Sequence, residues 1–435
     1  VGEDSLVLTS GQEAALQVGI ATAEARLGRA AVGVIRGYAG TGKTTCLKVL
    51  ANKIGPPLFL APTGKASLRV QEATGCEAST IHRWMYQPEV DKQSGRVRFD
   101  PKPLDKIFRP SNRLIAVDES SMVSEPIWVE LVRVATLLKC NILLIGDPFQ
   151  LPPVDPEAQY PFCVLEDKFP ADFRADLKEI VRQALDNPII KASMYVRQGD
   201  MGAARELLPN LERMEAWKLT LDICKKTDGV IICHRNVMRH KINESVRKEF
   251  NKPPAIQTGE PMLILKNCYE ANVYNGEVLP FPGWTWESDK VEVTDKYRNV
   301  SAFTRFGSTA FNNTTVLLAH ERIRGKMENI GYGPVAYAAS RTYYGKEFPE
   351  TPAPRNYGRY SGYYEQKKKK AKGPKHPFLD ANFGYCMTAH KSQGSEWSRV
   401  LVIMEPTIRL NEQEGLRWVY TAITRARDQA FLYWI

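Results

Sequence analysis

The sequence predicts an α/β fold built on two parallel sheets covered by helices. Three observations lead there. Short apolar runs recur without strict alternation, helix-like stretches separate them, and a glycine-rich loop joins the first run to the first of those helices.

The runs lie at residues 31–35, 58–61, 114–117, 142–145, 230–233 and 400–404. Continuous apolar runs of this length read as strands buried on both faces, as in a parallel sheet under helices. Residues 45–54 read as a helix that stops at Gly55 and Pro56-Pro57, because glycine favours a helix end and proline cannot continue one. Strands alternating with helices are the α/β pattern. The chain has 435 residues, more than one core organises, so two large units with insertions are expected.

Two segments break the rhythm. Residues 87–110 are polar, carry Pro88, Pro101, Pro103 and Pro110, and place Ser94-Gly95 before Arg96-Val97-Arg98-Phe99. A small hairpin between two strands of the first sheet is expected there. Residues 267–380 hold alternating patches at 290–294 and 314–319 among many Gly and Pro, which predicts a small β-rich domain inserted into the second sheet. Its late part, 337–364, mixes tyrosines with Arg341, Arg355 and Arg359, and a run of four lysines follows at 367–370. Stacking groups beside cations suit single-strand binding; the outer shell of a small β-domain explains them equally well.

The net charge of +10 favours a polyanionic partner, although many basic proteins bind nothing specific. No apolar run approaches the ~20 residues that span a bilayer, so no membrane association is expected. No basic region leads into an apolar one at the start, so no secretion signal is expected either. The chain opens at Val1 rather than Met, as expected of a chain that has lost its original N-terminus. The eight cysteines form no C-x-x-C pair and no zinc spacing, and read as reduced, buried thiols of a reducing compartment.

The chemistry concentrates in one motif. Gly37-Tyr38-Ala39-Gly40-Thr41-Gly42-Lys43-Thr44 fits G-x-x-x-x-G-K-[ST], follows an apolar strand and opens a helix, which is the context the motif needs. Gly37, Gly40 and Gly42 let the backbone N–H groups wrap the phosphates of ATP, with Thr44 and Thr45 at the positive helix start. Lys43 should reach the β- and γ-phosphates and Thr44 should ligate Mg2+. Asp118-Glu119 closes the run 114–117. Standing alone, such a pair could be a surface feature. Paired with the loop, Asp118 is expected to hold the metal through water, and Glu119 to orient and deprotonate the attacking water. The run 142–145 ends in Gly146-Asp147-Pro148-Phe149-Gln150-Leu151-Pro152-Pro153-Val154. Gln150 there is placed to sense the γ-phosphate. A proline-rich turn would explain the prolines but not the Gly-Asp and the Gln.

These motifs form an ordered set with Ala61-Pro62-Thr63-Gly64-Lys65-Ala66, Ser79-Thr80-Ile81-His82, Asp118-Glu119-Ser120-Ser121-Met122, Thr388-Ala389-His390-Lys391-Ser392-Gln393-Gly394 and Thr421-Ala422-Ile423-Thr424-Arg425-Ala426. The set spans almost the whole chain and resembles the superfamily-one DNA helicases, specifically their RecD-like branch and most closely the phage Dda helicases. Ser120 departs from the small apolar residue often found after Asp-Glu, which could shift the strand end.

The resemblance implies two RecA-like domains of a P-loop NTPase. The first (1A) takes residues 1–86 and 111–178 and binds ATP, with the hairpin 87–110 (1B) as a candidate wedge. The second (2A) takes residues 179–266 and 381–435, with a β-rich, SH3-like insertion at 267–380 (2B). Gln12 resembles the adenine-reading glutamine, whose amide offers a donor and an acceptor. Arg425 resembles the arginine that touches the γ-phosphate across the cleft, and Arg182 the second such arginine. An arginine finger can be worth ~10³–10⁵ in rate. For both, a structural ion pair is the alternative. Glu396 resembles a ribose contact.

The nucleic-acid track follows by the same resemblance: Thr63, Lys65, Thr80 and His82 from the first domain, and Thr388, His390 and Lys391 from the second, with His234-Arg235-Asn236 a weaker candidate that adds Asn236. Hydroxyls and lysines suit phosphates, which position without reading sequence. A histidine can stack on a base. Phe99 could stack on a duplex end as the strands part, or pack on its own domain.

The resemblance thus implies an ATP-dependent DNA helicase, a magnesium-dependent ATP hydrolase that translocates on single-stranded DNA. It implies 5′→3′ polarity, single-stranded DNA and single-strand/duplex junctions as partners, and replication or recombination proteins as further ones. A translocase that strips bound proteins with little unwinding is the alternative enzyme, and a P-loop switch that holds DNA the alternative without a motor. The two arginine positions weigh against the switch. No long interaction domain precedes the motor motifs, which predicts a stand-alone, monomeric motor. The expected location is cytoplasmic, near the nucleoid of a bacterial or phage-infected cell.

Overall fold

The structure is a computed structural model. It describes residues 8–90, 97–153, 162–181, 186–253, 256–265, 268, 271, 273–287, 291–294, 300–312, 314–323, 326–330, 379 and 381–435. Two compact units emerge: residues 1–87, 101–234 and 392–435 form the first, and residues 88–100 and 235–391 the second.

The first unit opens with α1 (Ser10–Glu24), β1 (Val32–Gly37), α2 (Lys43–Ile54), β2 (Leu58–Ala61), α3 (Gly64–Thr74), β3 (Ala78–Thr80) and α4 (Ile81–Met85). The strands β4 (Tyr86–Val90) and β5 (Val97–Pro101), most of whose residues belong to the second unit, pair with each other where the hairpin was expected. Next come β6 (Leu114–Val117), α5 (Glu125–Leu137), β7 (Asn141–Gly146) and β8 (Phe173–Leu177). The sheet order is β3-β2-β6-β7-β1-β8, and each pairing is parallel.

Alternation explains why these strands read as unbroken apolar runs. Successive strand side chains point to opposite faces. Val34, Leu60, Val117 and Leu144 enter one buried cluster, while Phe59, Ala116, Leu143 and Ile145 enter another. Both faces are therefore core. Truncating one of these leucines to Ala would cost about 2–5 kcal/mol.

Local chemistry sets the helix ends. Thr9 and Gln12 form a reciprocal capping box at the start of α1. Thr63 and Thr80 cap α3 and α4 by accepting from Ala66 N and Arg83 N at 3.2 and 3.1 Å. Helix α2 stops at Gly55, as expected from Gly-Pro-Pro.

The same unit contains α6 (Pro188–Gln198), α7 (Met201–Leu207), α8 (Arg213–Lys226) and β9 (Gly229–Cys233). It ends with the strands Trp397–Met404 and Ala426–Trp434 on either side of the helix Gln413–Ile423. Strand Trp397–Met404 pairs in parallel with both β9 and Ala426–Trp434, giving a second parallel sheet.

The second unit contains α9 (Asn236–Glu249) and a mainly antiparallel sheet whose long central strands are Val300–Phe311 and Thr314–Ile323. A β-rich insertion was expected in this stretch. A buried ion pair anchors α9 there: Arg247 Nε meets Glu260 Oε1 at 2.8 Å. Gln257 N and the Tyr385 hydroxyl also donate to that carboxylate, at 2.7 and 2.9 Å. Among the described residues, no helix is long and apolar enough to cross a membrane.

Candidate functional site

The site is built where β1, β6 and β7 end. Beyond β1 the chain turns through Gly40 and Gly42, both at φ 78°. Gly42 caps α2 in the left-handed conformation, and a Cβ there would come within 2.3 Å of Gln12 Nε2. Only glycine meets both demands. Lys43 is the first residue of α2, and its ammonium donates to the Gly37 and Tyr38 carbonyls at 2.7 and 3.0 Å, which folds it over the loop. Thr44 and Thr45 follow in the first turn of α2.

Gln12 lies against the loop. Its Oε1 accepts from Thr9 N at 3.0 Å and its Nε2 donates to the Thr41 carbonyl at 3.2 Å. Each end of an amide can make one further hydrogen bond.

Strand β6 delivers Asp118 and Glu119. The Asp118 amide donates to the Leu60 carbonyl at 2.9 Å. Burial, and then the neighbouring Glu119 carboxylate, push the Asp118 carboxyl up to about 6. Glu119 takes φ 49°, a sparsely populated conformation for a non-glycine residue. Ser120 is buried, and its hydroxyl donates to the Ile145 carbonyl at 2.8 Å, so the polar departure from the expected apolar residue is satisfied. The Thr44 hydroxyl and Asp118 carboxylate are hard oxygen donors. Among the described residues, no group of three or more His, Cys, Asp or Glu gathers. Few protein oxygens, completed by phosphate oxygens and water, suit Mg2+.

Strand β7 delivers Asp147 and Gln150. With its amide oriented to satisfy both neighbours, Gln150 donates to Glu119 Oε2 and Arg425 Nη2 donates to Gln150, each at 3.3 Å. Arg425 is itself anchored: Nε donates to the Thr421 carbonyl at 3.0 Å and Nη1 to the Ser395 carbonyl at 3.4 Å. Three residues chosen separately from the sequence thus form one chain, Glu119–Gln150–Arg425.

Sequence reasoning missed the residues that stitch this region together. The Tyr420 hydroxyl donates to Asp147 Oδ2 at 2.6 Å and accepts from the Ala39 amide of the loop at 2.8 Å. Thr421 Oγ1 accepts from Leu151 N at 3.0 Å, and Gln393 Nε2 donates to the Leu151 carbonyl at 2.7 Å. The Arg197 guanidinium lies 3.6 Å from the centre of the Tyr38 ring. Thr421 and Gln393 lay inside quoted motifs without a role assigned to them, and Tyr420 directly precedes one. Arg197 carried no local signal.

Several candidates have other partners. Glu396, expected at the ribose, forms an ion pair with Arg69 on α3, Nη2 to Oε1 at 2.5 Å. Lys65 places its ammonium 4.6 Å from the centre of the Trp397 ring. Thr80 is 2% exposed, and its hydroxyl accepts the Arg83 amide as the cap of α4. Thr63 also caps, but remains half-buried. His82 lines a hollow with Pro62, Ile81, Met122, Val123, Ser124 and Ile127. Burial holds its imidazole below the ordinary value.

In the second unit, Thr388 is buried at the end of strand Cys386–Thr388. His390 and Lys391 are half-buried on the short helix that follows, and Lys391 Nζ donates to Asn275 Oδ1 at 2.7 Å. Asn236 is exposed at the start of α9. His234, in the first unit, is fixed by Thr407 at 3.0 Å and sits edge-on to Trp418. Arg182, the side chain of Phe99, and the stretches 337–364 and 367–370 lie outside the described residues.

Comparison with known proteins bears on this arrangement. Residues 8–217 match the AAA domain family and residues 383–433 match the UvrD-like helicase C-terminal domain. The ATP-dependent RecD2 DNA helicase of Deinococcus radiodurans is 28% identical over 403 residues, which is 92% of this chain and 46% of that protein. These matches make the chain similar to helicases of the RecD/Pif1-like branch of superfamily one. An uncharacterised protein of Methanocaldococcus jannaschii is 26% identical over 92% of the chain and 36% of its own length. The chain therefore spans less than half of these two relatives. Among solved structures, the Bacteroides Pif1 helicase in complex with ADP-AlF3 and single-stranded DNA superimposes with a TM-score of 0.51 at 18% identity, covering 99% of this chain and 92% of that one. The branch's fold, two RecA-like parallel-sheet domains with small antiparallel sheets, is the fold of this chain.

Proposed function

We propose that this chain is an ATP-driven DNA helicase that moves 5′→3′ along single-stranded DNA and separates duplex at single-strand/duplex junctions. The Glu119–Gln150–Arg425 chain beside the phosphate loop is the observation that carries this reading. A nucleotide switch has little need of a general base joined through an amide to an arginine. A motor must time hydrolysis to the meeting of those groups. The names of similar proteins support the substrate: RecD2 is called an ATP-dependent DNA helicase, and Pif1 was solved with single-stranded DNA.

In this reading the loop amides between Gly37 and Thr45 and the Lys43 ammonium hold the phosphates of ATP. Gln12 uses the free half of its amide on the adenine edge. Thr44 and Asp118 would hold Mg2+, which when bound offsets charge on the β- and γ-phosphate oxygens. Glu119 orients the attacking water and takes its proton. Arg425, joined by Arg182, neutralises the phosphoryl group as it transfers. Thr63, Lys65, Thr80, His82, Asn236, Thr388, His390 and Lys391 contact the strand, with Phe99 as the wedge.

We further propose the domain division 1A, 1B, 2A and 2B given above, an affinity within the branch for the phage Dda helicases, and a monomeric motor. Cytoplasmic replication or recombination of DNA is its proposed setting.

Duplexes with 5′ or 3′ single-stranded tails test the reading. Unwinding of the 5′-tailed duplex alone is expected. Unwinding from a 3′ tail would overturn the polarity. ATP hydrolysis on DNA without strand separation would favour the protein-stripping translocase.

A further inference from the structure

We propose that Thr421 and Gln393 are positioning residues, which hold Gln150 in register with Arg425. This rests on the ATPase reading above and on the place of Gln150 in it.

Strand β7 ends at Gly146, so the residues that follow lie beyond its hydrogen-bond ladder. The turn there is anchored at its start. Asp147 Oδ1 accepts from Phe149 N at 2.9 Å, and the Asp147 carbonyl accepts from Gln150 N at 3.3 Å. Gln150 and Leu151 are buried. Buried backbone groups need partners, and Leu151 finds both of its own on side chains. Thr421 Oγ1 accepts from Leu151 N at 3.0 Å, and Gln393 Nε2 donates to the Leu151 carbonyl at 2.7 Å. Leu151 N shares a planar peptide with the Gln150 carbonyl, so the constraint passes straight to Gln150.

Thr421 also holds Arg425. Its carbonyl accepts from Arg425 Nε at 3.0 Å. One residue of the helix Gln413–Ile423 thus sets the peptide behind Gln150 through its hydroxyl and the guanidinium through its carbonyl. Between these two fixed points lies the 3.3 Å contact from Arg425 Nη2 to Gln150, and beyond it the 3.3 Å contact from Gln150 to Glu119 Oε2. Both are at the long end for N–H···O bonds, which ordinarily run about 2.7–3.2 Å. A small displacement of Gln150 would break either. Satisfying the Leu151 amide alone would need only some polar side chain. That the same residue also grips the arginine is what points to registration of one against the other.

Thr421→Val nearly keeps the side-chain shape and removes the acceptor, whereas Thr421→Ser keeps it. Gln393→Met keeps the length and removes the donor. ATP hydrolysis with single-stranded DNA would be measured for the wild type, these three variants and Gln150→Ala, and for Thr421→Val and Gln393→Met each combined with Gln150→Ala. Misplacing a catalytic group by about 1 Å can cost on the order of 10²-fold. With one of two bonds left, Thr421→Val and Gln393→Met are each expected to lower kcat roughly tenfold, with KM for ATP unchanged. Thr421→Ser should retain the wild-type kcat. In the Gln150→Ala background neither should lower kcat further, because no amide remains to be positioned, while the drop in thermal midpoint that each causes should persist. Losses in kcat that multiply with that of Gln150→Ala would mark a purely structural role and overturn the proposal. So would an unchanged kcat in either variant, or a Thr421→Ser as slow as Thr421→Val. Should Thr421→Val fail to fold, Gln393→Met with and without Gln150→Ala decides alone. A wild type that hydrolyses no ATP, or a Gln150→Ala as fast as the wild type, would instead end the reading beneath the proposal, and the proposal with it.

Discussion

Tyr420 donates a 2.6 Å hydrogen bond to Asp147 while its oxygen accepts the Ala39 amide of the phosphate loop at 2.8 Å. Tyr420 and Asp147 are buried, and the ring meets Phe149 edge-on with centroids 5.3 Å apart. Burial pushes the Asp147 carboxyl above the usual carboxylate range and the Tyr420 phenol well above its ordinary value. Tyr420→Phe keeps the ring contact and strips both hydrogen bonds. A buried group left without its partner costs about 1–3 kcal/mol. Urea unfolding should show a loss of that size. Combined with Asp147→Asn, the losses should sum to less than their separate values, since both variants disturb one bond.

Gln150 joins Glu119 to Arg425. Gln150→Ala removes the bridge without adding charge. We expect kcat for DNA-stimulated hydrolysis to fall on the order of 10²-fold, as when one preorganised donor is removed from an active site. KM for ATP should change little, because the loop and Lys43 remain. Steady-state kinetics would check the split.

Arg247 and Glu260 are 5% and 1% exposed. Glu260→Ala leaves the guanidinium buried without its carboxylate, a change that typically costs about 3–5 kcal/mol. The double variant Arg247→Leu/Glu260→Leu should be far milder, because no buried charge remains. Denaturant midpoints of the two variants would establish the order.

His82 supplies a pH dependence. Its imidazole is held below the ordinary 6.5 by burial, so folding favours the neutral ring. That stability is fully present above pH 6.5 and is lost as pH falls through the lowered folded value. Thermal midpoints should therefore drop on acidification below about 6.5. The drop should be shallower in His82→Gln, and the difference between the two proteins isolates this one group.

Sequence reasoning reached furthest where chemistry is local. The phosphate loop, the end of β6 and the end of β7 each place their residues within a few positions of a strand, so a motif specifies geometry. The strand at 114–117 was legible to the residue because both its faces are core. Strand β8 was not: Phe173–Leu177 alternates and carries Arg174 and Asp176. It joins the sheet edge through pairing with β1, and Arg36 grips Asp176 at 2.6 Å. Only tertiary context makes it a strand. The role of Tyr420 was hidden for a related reason, since 273 residues separate it from Asp147. Glu396 was reached only through the resemblance, two residues past a quoted motif, and its partner Arg69 sits on a helix far away in sequence, so no spacing rule joins them.

The most direct test of the motor reading is ATP hydrolysis with and without single-stranded DNA, for the wild type and Lys43→Ala. Strong stimulation by DNA that vanishes in Lys43→Ala is the predicted result. Hydrolysis indifferent to DNA, or surviving the loss of the Lys43 ammonium, would contradict a DNA-driven motor built on this phosphate loop.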